Sequence, residues 1–157
     1  MIVNAINYSF HQTFNVVASK AFEWCTDFSP EDMTLMKEQK ATRIVHQIAK
    51  NTIILIDTHV TEEKSFMKKK LVCLYPQKLM WTATHLTGPN KYSQFLYEIM
   101  PKTQETCSLK FTGLFLHRKV KAITKDEADK LGEELKEADS KNWKLLAGKM
   151  EKDLSEK

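Results

Sequence analysis

Glycine and proline are scarce in this 157-residue sequence, which contains four of each. Phosphate-binding loops of the GxGxxG and P-loop kinds need closely spaced glycines, and neither pattern occurs. The GxSxG turn that presents the nucleophilic serine of many hydrolases is also missing. These absences argue against the commonest nucleotide-binding and serine-hydrolase sites, and we expect no cofactor.

Cysteines are few and odd in number: Cys25, Cys73 and Cys107, with no paired spacing. This pattern favours reduced, mostly buried thiols in an intracellular protein over a disulfide framework. The longest apolar run, residues 53–56, is too short to cross a membrane. Residues 1–12 lack the layout of a signal peptide. We therefore expect a soluble, cytoplasmic protein without integral membrane association.

Charge is not concentrated either, since 24 basic and 20 acidic residues leave a formal net charge of +4. Nucleic-acid binding usually needs a concentrated basic face, so no nucleic-acid partner is expected. The densest basic clusters, residues 68–70 and 118–121, are predicted to lie at strand or loop surfaces. An ordinary globular composition with 42% hydrophobic residues predicts a single domain over residues 1–157, with a flexible tail from about residue 151.

Alternating apolar and polar residues predict seven strands. The first covers residues 8–16, where Tyr8, Phe10, Phe14 and Val16 share a face with the polar Gln12. Short gaps between the later segments favour antiparallel hairpins in a meander. The six later segments are residues 41–49, 51–61, 65–75, 78–87, 91–100 and 105–117.

Three helices complete the α+β pattern. Residues 18–28 suggest a short helix that Ser19 could cap, and MTLM at residues 33–36 suggests a second one. A capping-box pattern at residues 124–127 begins a long C-terminal helix with one apolar stripe. Because only this helix is long enough to cover the sheet, the sheet must curl around it, and we expect an apolar cavity between them.

This order of elements resembles the helix-grip fold of the START/SRPBCC superfamily, which includes birch-pollen-allergen-like proteins, polyketide cyclases and lipid-transfer domains. Three stretches carry the resemblance: FNVVASKAFEWCTDF, YPQKLMWTATHLTG and FLYEIMPKTQETCSLKFTG. They resemble the first strand and its following helix, the central hairpin and the last strand pair. The resemblance spans about residues 4–150. It implies a seven-stranded curved antiparallel sheet wrapped around the C-terminal helix, with two short helices after strand 1.

Polar and aromatic side chains are predicted on the cavity wall, where a few polar groups can fix the orientation of a ligand. We interpret His46 and His85 as inward-facing, either as a polar anchor or base or as hydrogen-bonded wall residues. His11 and His59 are expected to point outward, the latter together with Asp57. The predicted lining residues are Tyr8, Phe10, Gln12, His46, Trp81, His85, Phe95, Tyr97, Phe111, Phe115, Leu131, Leu135, Asn142, Trp143 and Leu146.

Catalytic and metal sites are not predicted. The five histidines lie on five separate strand segments, so convergence on a metal is not expected. Cyclases of the resembled superfamily depend on buried acid and base residues. No such pair is recognised, because Asp57 and Glu98 fall on faces interpreted as solvated. No catalytic residue is therefore assigned, and the sequence favours a non-enzyme.

The leading hypothesis is a protein that binds or transports a hydrophobic small molecule: a lipid, a polyketide or an isoprenoid-like compound. Tyr97, Phe111 and Trp143 are predicted to contact it. The first alternative is a cyclase or dehydratase with His46, His85 or Tyr97 as proton carriers. The second is a cochaperone-like interaction domain, which a fully packed interior would favour. A monomer and a homodimer both stay open.

Overall fold

A computed structural model describes residues 1–34 and 40–156, and within them seven strands form one antiparallel sheet. The order across the sheet is β1-β7-β6-β5-β4-β3-β2. Strands β2 to β7 therefore form a meander, which confirms the predicted topology. The strands are β1 (Ile2–Phe14), β2 (Lys40–Ala49), β3 (Thr52–Val60), β4 (Ser65–Tyr75), β5 (Met80–His85), β6 (Gln94–Pro101) and β7 (Cys107–Lys119).

Strand β1 begins earlier than the predicted residue 8. Its ladder with β7 runs without a break from Phe14 opposite Cys107 to Ile2 opposite Lys119. These backbone bonds keep the chain extended even where its side chains are exposed. Strand β1 and strand β2 are the two edges of the sheet.

Two short helices follow β1, as predicted: α1 (Ala18–Thr26) and α2 (Glu31–Thr34). The suggested cap at Ser19 is wrong, because α1 starts one residue earlier and its N-cap, Val17, makes no side-chain bond. The start of α1 is therefore not specified by capping chemistry. The second helix was predicted to reach residue 36, and residues 35 and 36 lie outside the described residues.

The long helix α3 (Lys125–Ser155) begins at the predicted capping box. The Thr124 hydroxyl accepts from the Glu127 N–H at 3.1 Å, and the Glu127 carboxylate accepts from the Thr124 N–H at 2.7 Å. Gly132 of α3 faces β1, where an added Cβ would lie at an ordinary van der Waals distance of 3.5 Å from Ile6 Cγ2. The helix continues to Ser155, and the flexible tail from about residue 151 stays a prediction.

The core lies between the concave face of the sheet and α3. Phe14, Leu109 and Met150, from β1, β7 and α3, are fully buried. Cys25 and Cys107 are buried free thiols, while Cys73 is a half-buried one. Within residues 1–34 and 40–156, no helix combines the length and apolarity needed to cross a bilayer.

Candidate functional site

A cavity of about 650 Å³ lies between the concave face of the sheet and α3. Helices α1 and α2 contribute Trp24 and Met33 to its wall. Leu145 of α3 also lines it and is 47% exposed, so the cavity opens beside this helix. The interior is therefore not fully packed.

Eleven of the fifteen residues predicted to line the cavity do so in the structure. Strand alternation and the apolar stripe of α3 together bring them to one space. Contact with a ligand stays a prediction for each of them. The eleven are Tyr8, Trp81, His85, Phe95, Tyr97, Phe111, Phe115, Leu135, Asn142, Trp143 and Leu146.

The inward orientation predicted for His46 is wrong. His46 is exposed and lies opposite Ile54 on the outer face of the sheet. Arg43 lines the cavity instead. Because side chains alternate along a strand, this phase also turns Ile44 outward, where it is 59% exposed. The prediction assigned the apolar residues of β2 to the face that points into the interior. It is wrong because the interior beside β2 is charged.

Three other predicted residues do not line the cavity. Phe10 is buried behind the wall, with its ring stacked on Phe111 at a centroid distance of 4.7 Å. Gln12 is half-buried and donates to the carbonyl of Thr13 at 3.0 Å. Leu131 is half-buried on α3. The cavity thus occupies the middle and one side of the sheet.

Three charged residues from neighbouring strands form what we call the charged cluster: Arg43 on β2, Asp57 on β3 and Lys70 on β4. The Arg43 guanidinium donates to both oxygens of Asp57, at 2.7 and 2.9 Å. Lys70 Nζ lies 3.3 Å from Asp57 Oδ2. The expectation that Asp57 faces solvent is wrong, since it is 1% exposed.

His59 and Lys68 also line the cavity, contrary to the surface positions predicted for them. In the β3–β4 ladder Asp57 lies directly opposite Lys68, so the two side chains share the concave face. Lys69, between the two inward lysines, is exposed. The basic run at residues 68–70 is therefore divided between the two faces of the sheet.

The charges of the cluster perturb one another. Burial alone would raise the pKa of the Asp57 carboxyl, but hydrogen bonds from Arg43 and the charge of Lys70 outweigh it and lower that pKa. For Lys70, burial outweighs the attraction of Asp57 and lowers the pKa of the ammonium. The carboxylate is thus well stabilised, whereas the lysine charge is not.

Asp139 of α3 is a cavity residue that the sequence reasoning missed. The Tyr8 hydroxyl donates to its Oδ2 at 2.5 Å. Burial raises the pKa of Asp139, although the bond from Tyr8 and the charge of Lys70 act to lower it. Gly113 gives the Tyr8 ring its space, because a Cβ there would lie 2.7 Å from Tyr8 Cε1. The position of Asp139, four residues after Leu135 on the apolar stripe, was the available signal.

His85 lies next to the charged cluster on β5. It is 9% exposed, and its Nδ1 lies 3.3 Å from Asn90 Oδ1. Burial, followed by the positive charge of Lys70, lowers the pKa of His85 to about 4. The imidazole is therefore neutral at pH 7. In the tautomer that has its proton on Nδ1, His85 donates this hydrogen bond and Asn90 Oδ1 accepts it.

The opposite part of the cavity is what we call the aromatic wall: Trp81, Tyr97, Phe111 and Trp143. The Trp81 and Tyr97 rings stack with centroids 4.8 Å apart and 3° between their planes. Phe111 meets Tyr97 edge-on at 5.2 Å, and Trp143 lies at 5.8 Å. Such rings present broad apolar faces to the space beside them.

No metal centre is formed within the part of the chain that the structure describes. There, no group of three His, Cys, Asp or Glu side chains is placed to hold a metal ion. The carboxylates of Asp57 and Asp139 instead engage Arg43, Lys70 and Tyr8.

The curved sheet, the enclosing C-terminal helix and the cavity between them define the helix-grip class, and the resemblance seen in the sequence is confirmed for the fold. The Zhui aromatase/cyclase from Streptomyces sp. R1128 is similar with a TM-score of 0.73, 14% identity and 96% of each chain covered. Ara h 8.0201 has a TM-score of 0.66 and 14% identity over 94% of this chain and 98% of that one. Norcoclaurine synthase from Thalictrum flavum, solved with dopamine and hydroxybenzaldehyde, has a TM-score of 0.64 and 14% identity over 99% of this chain and 88% of that one.

Such low identities establish the fold alone. No protein-family model matches the sequence, and no curated protein sequence does so either. The function must therefore be argued from the cavity itself.

Proposed function

We propose that this protein binds a hydrophobic small molecule in the cavity between the sheet and α3. The observation that carries the proposal is a space of about 650 Å³ lined by aromatic rings. Spaces of this size and lining commonly hold small ligands. Binding would bury the ligand's apolar surface against the aromatic wall.

The aromatic wall supports a ligand with flat rings, such as a polyketide-like compound, over a lipid or an isoprenoid-like chain. Aromatic faces gain most from partners that can stack on them or meet them edge-on. Two structural neighbours point the same way, since one is an aromatase/cyclase and the other was solved with dopamine and hydroxybenzaldehyde. The free thiols of the chain support a reducing, cytoplasmic location.

Fluorescence titration with N-phenyl-1-naphthylamine, a neutral aromatic probe, tests this function. We expect saturable binding with one site, and about tenfold weaker binding by Trp143→Ala, because removing one aromatic partner costs roughly 1–2 kcal/mol. Lys144→Ala is the matched control, since Lys144 is exposed on the same helix.

Thermal unfolding without the probe shows whether each variant is folded. Should Trp143→Ala unfold, Trp143→Phe keeps an aromatic ring in place and gives an intermediate affinity. Failure of the folded wild-type protein to bind the probe, or unchanged affinity in folded Trp143→Ala, contradicts the proposal.

A second candidate is a cyclase-like enzyme, favoured by the neutral His85 and the Tyr8–Asp139 pair on the cavity wall. A neutral imidazole can act as a base, and a carboxyl with a raised pKa can supply a proton. A poly-β-ketone thioester offered as substrate should then cyclise faster with the protein. The acceleration should be lost in His85→Gln while probe binding is retained. An inert wild-type protein that binds the probe rejects this candidate.

A further inference from the structure

We propose that the charged cluster is a subsite for the carboxylate of an amphipathic aromatic ligand, with Lys70 as its main partner and Arg43 beside it. The inference rests on the proposed ligand-binding function and deepens it. It assigns a chemical class to the ligand: a flat apolar body with an acidic group at one end.

The charges of the cluster do not balance. One carboxylate, Asp57, lies between two cations, with Arg43 at 2.7 Å and Lys70 at 3.3 Å. The guanidinium already binds both carboxylate oxygens, which is the strongest geometry for such a pair. The positive charge of Lys70 is therefore left without a full counter-charge in the cluster. A buried charge that is not balanced is costly, and an incoming anion relieves that cost.

Lys70 has more hydrogen-bond donors than Asp57 uses. An ammonium has three N–H donors, and within the described residues Asp57 is its one hydrogen-bond acceptor. Lys70 keeps 24% of its side-chain surface accessible and lines the cavity. Two donors are thus available to a group inside the cavity.

The remaining charged groups around the cavity do not supply the missing counter-charge for Lys70. Asp139 is engaged by Tyr8 at 2.5 Å, and burial raises its pKa, which weakens it as a counter-charge. Asp32 lies 3.7 Å from Lys149 at the α2 side. Lys68 adds positive charge on the same strand as Lys70. The other titratable lining groups are Cys25, His59, His85, Tyr97 and Lys141.

The distance between the charged cluster and the aromatic wall matches the length of a small aromatic acid. In the β4–β5 ladder Lys70 lies opposite His85, and Leu74 lies opposite Trp81. Four residues along a strand span about 13 Å. A two-ring or three-ring aromatic skeleton with a terminal carboxylate fits that span. Its rings would lie against Trp81 while its acid reaches Lys70.

The test uses N-phenyl-1-naphthylamine as a neutral reporter and two matched competitors, 2-naphthoic acid and 2-naphthamide, at pH 7. The competitors share a ring system and differ in charge. We expect the acid to displace the reporter from the wild-type protein about tenfold better than the amide. In Lys70→Met this preference, measured as the ratio of the two inhibition constants and corrected for the variant's own affinity for the reporter, should disappear.

Two further variants separate a local site from general attraction. Lys70→Arg keeps the charge and should keep the preference, whereas Lys69→Met removes an exposed charge next door and should leave it intact. Lys70→Met is expected to fold, because Asp57 retains both bonds from Arg43. If Lys70→Met does not fold, Lys70→Gln replaces it in the same comparison.

The outcomes distinguish the inference from the function on which it rests. No reporter binding by the wild-type protein overturns the proposed function. Reporter binding with equal displacement by acid and amide overturns the carboxylate subsite and leaves the function standing. A preference that survives in a folded Lys70→Met or Lys70→Gln protein, or that is lost in Lys69→Met, overturns the assignment to Lys70.

Discussion

His85 shows how burial and a neighbouring charge set the protonation state of one site residue. Its ring lies 5.1 Å from that of Phe95, and it shares the wall with the cationic Lys70. An imidazolium there would lose hydration and face a like charge. The folded protein therefore holds His85 neutral, while the unfolded chain protonates it at an ordinary pKa.

This difference predicts a loss of stability in acid that depends on His85. The pKa falls from 6.5 to about 4 on folding, so the unfolded state binds the extra proton between these values. The free energy of unfolding should then fall by about 2–3 kcal/mol more in the wild type than in His85→Gln between pH 7.5 and 4.5. Urea unfolding of both proteins at the two pH values measures it.

Comparing the two proteins cancels groups that titrate in both. Asp32 has a pKa raised to about 6, mainly by burial, so its protonation favours the folded state as the pH falls through the same range. This contribution has the opposite sign to that of His85 and is common to wild type and variant. Parallel pH profiles for the two proteins would rule out a neutral, buried His85.

The predicted side-chain orientations are wrong where a charged residue lies in the interior. Asp57 is in phase with Ile53 and Leu55 on β3, and all three are buried. Its charge suggested solvent, but a buried carboxylate is tolerated when cations bind it. Ala49 pairs with Thr52 beside the turn, and that register alone would place Arg43 opposite Thr58. A bulge between Gln47 and Ala49 shifts the pairing by one residue and brings Arg43 opposite Asp57. The turn length therefore does not predict the pair, and the composition of a single strand pointed the wrong way.

At the scale of elements, α3 begins at a cap made by two reciprocal bonds. Thr124→Ala removes the hydroxyl that accepts from Glu127 N–H and should lower the free energy of unfolding by about 1 kcal/mol. Thr124→Ser keeps the accepting oxygen and should remain within a few tenths of a kcal/mol of wild type. Equal losses in Thr124→Ala and Thr124→Ser, measured by urea unfolding, would contradict a capping role.

Elements with strong local signals were predicted well, and their ends were not. A capping box within four residues of sequence marks the start of α3. The start of α1 has no side-chain cap, so nothing local marks it. Strand β1 extends to Ile2 because β7 supplies a partner as far as Lys119, and that pairing is remote in sequence. Local chemistry therefore specifies which elements form, and tertiary contacts decide where several of them end.

For the whole molecule, a few polar contacts join α3 to the sheet and the short helices, in addition to the apolar core. Tyr8 binds Asp139 near the middle of the helix at 2.5 Å. Near the C-terminal end of α3, the indole N–H of Trp24 from α1 donates to the Asp153 carboxylate at 3.0 Å. Lys149 lies 3.7 Å from Asp32 of α2. The side formed by α1, α2 and the end of α3 is thus bridged by contacts between side chains.

Ligand entry is expected on this side, where the short helices can separate from α3 without breaking the sheet. Lys149 of α3 contacts both short helices. Its ammonium pairs with Asp32 of α2 and lies 5.8 Å from the Trp24 ring centroid of α1. It also pairs with Asp153 of α3 at 2.7 Å. It does not line the cavity. Replacing it therefore changes the barrier to opening more than the contacts with bound ligand.

Lys149→Met should accordingly raise the association and dissociation rates of N-phenyl-1-naphthylamine together. Ion pairs that are partly exposed contribute about 0.2–1 kcal/mol, so both rates should increase by up to about fivefold, with Kd changed less than about twofold. Stopped-flow fluorescence gives both rates, and Lys144→Met is the control on the exposed face of α3. Unchanged rates would place the entrance elsewhere. A rise in dissociation alone would mean that Lys149 stabilises the bound state, because an entrance barrier acts equally on passage in both directions.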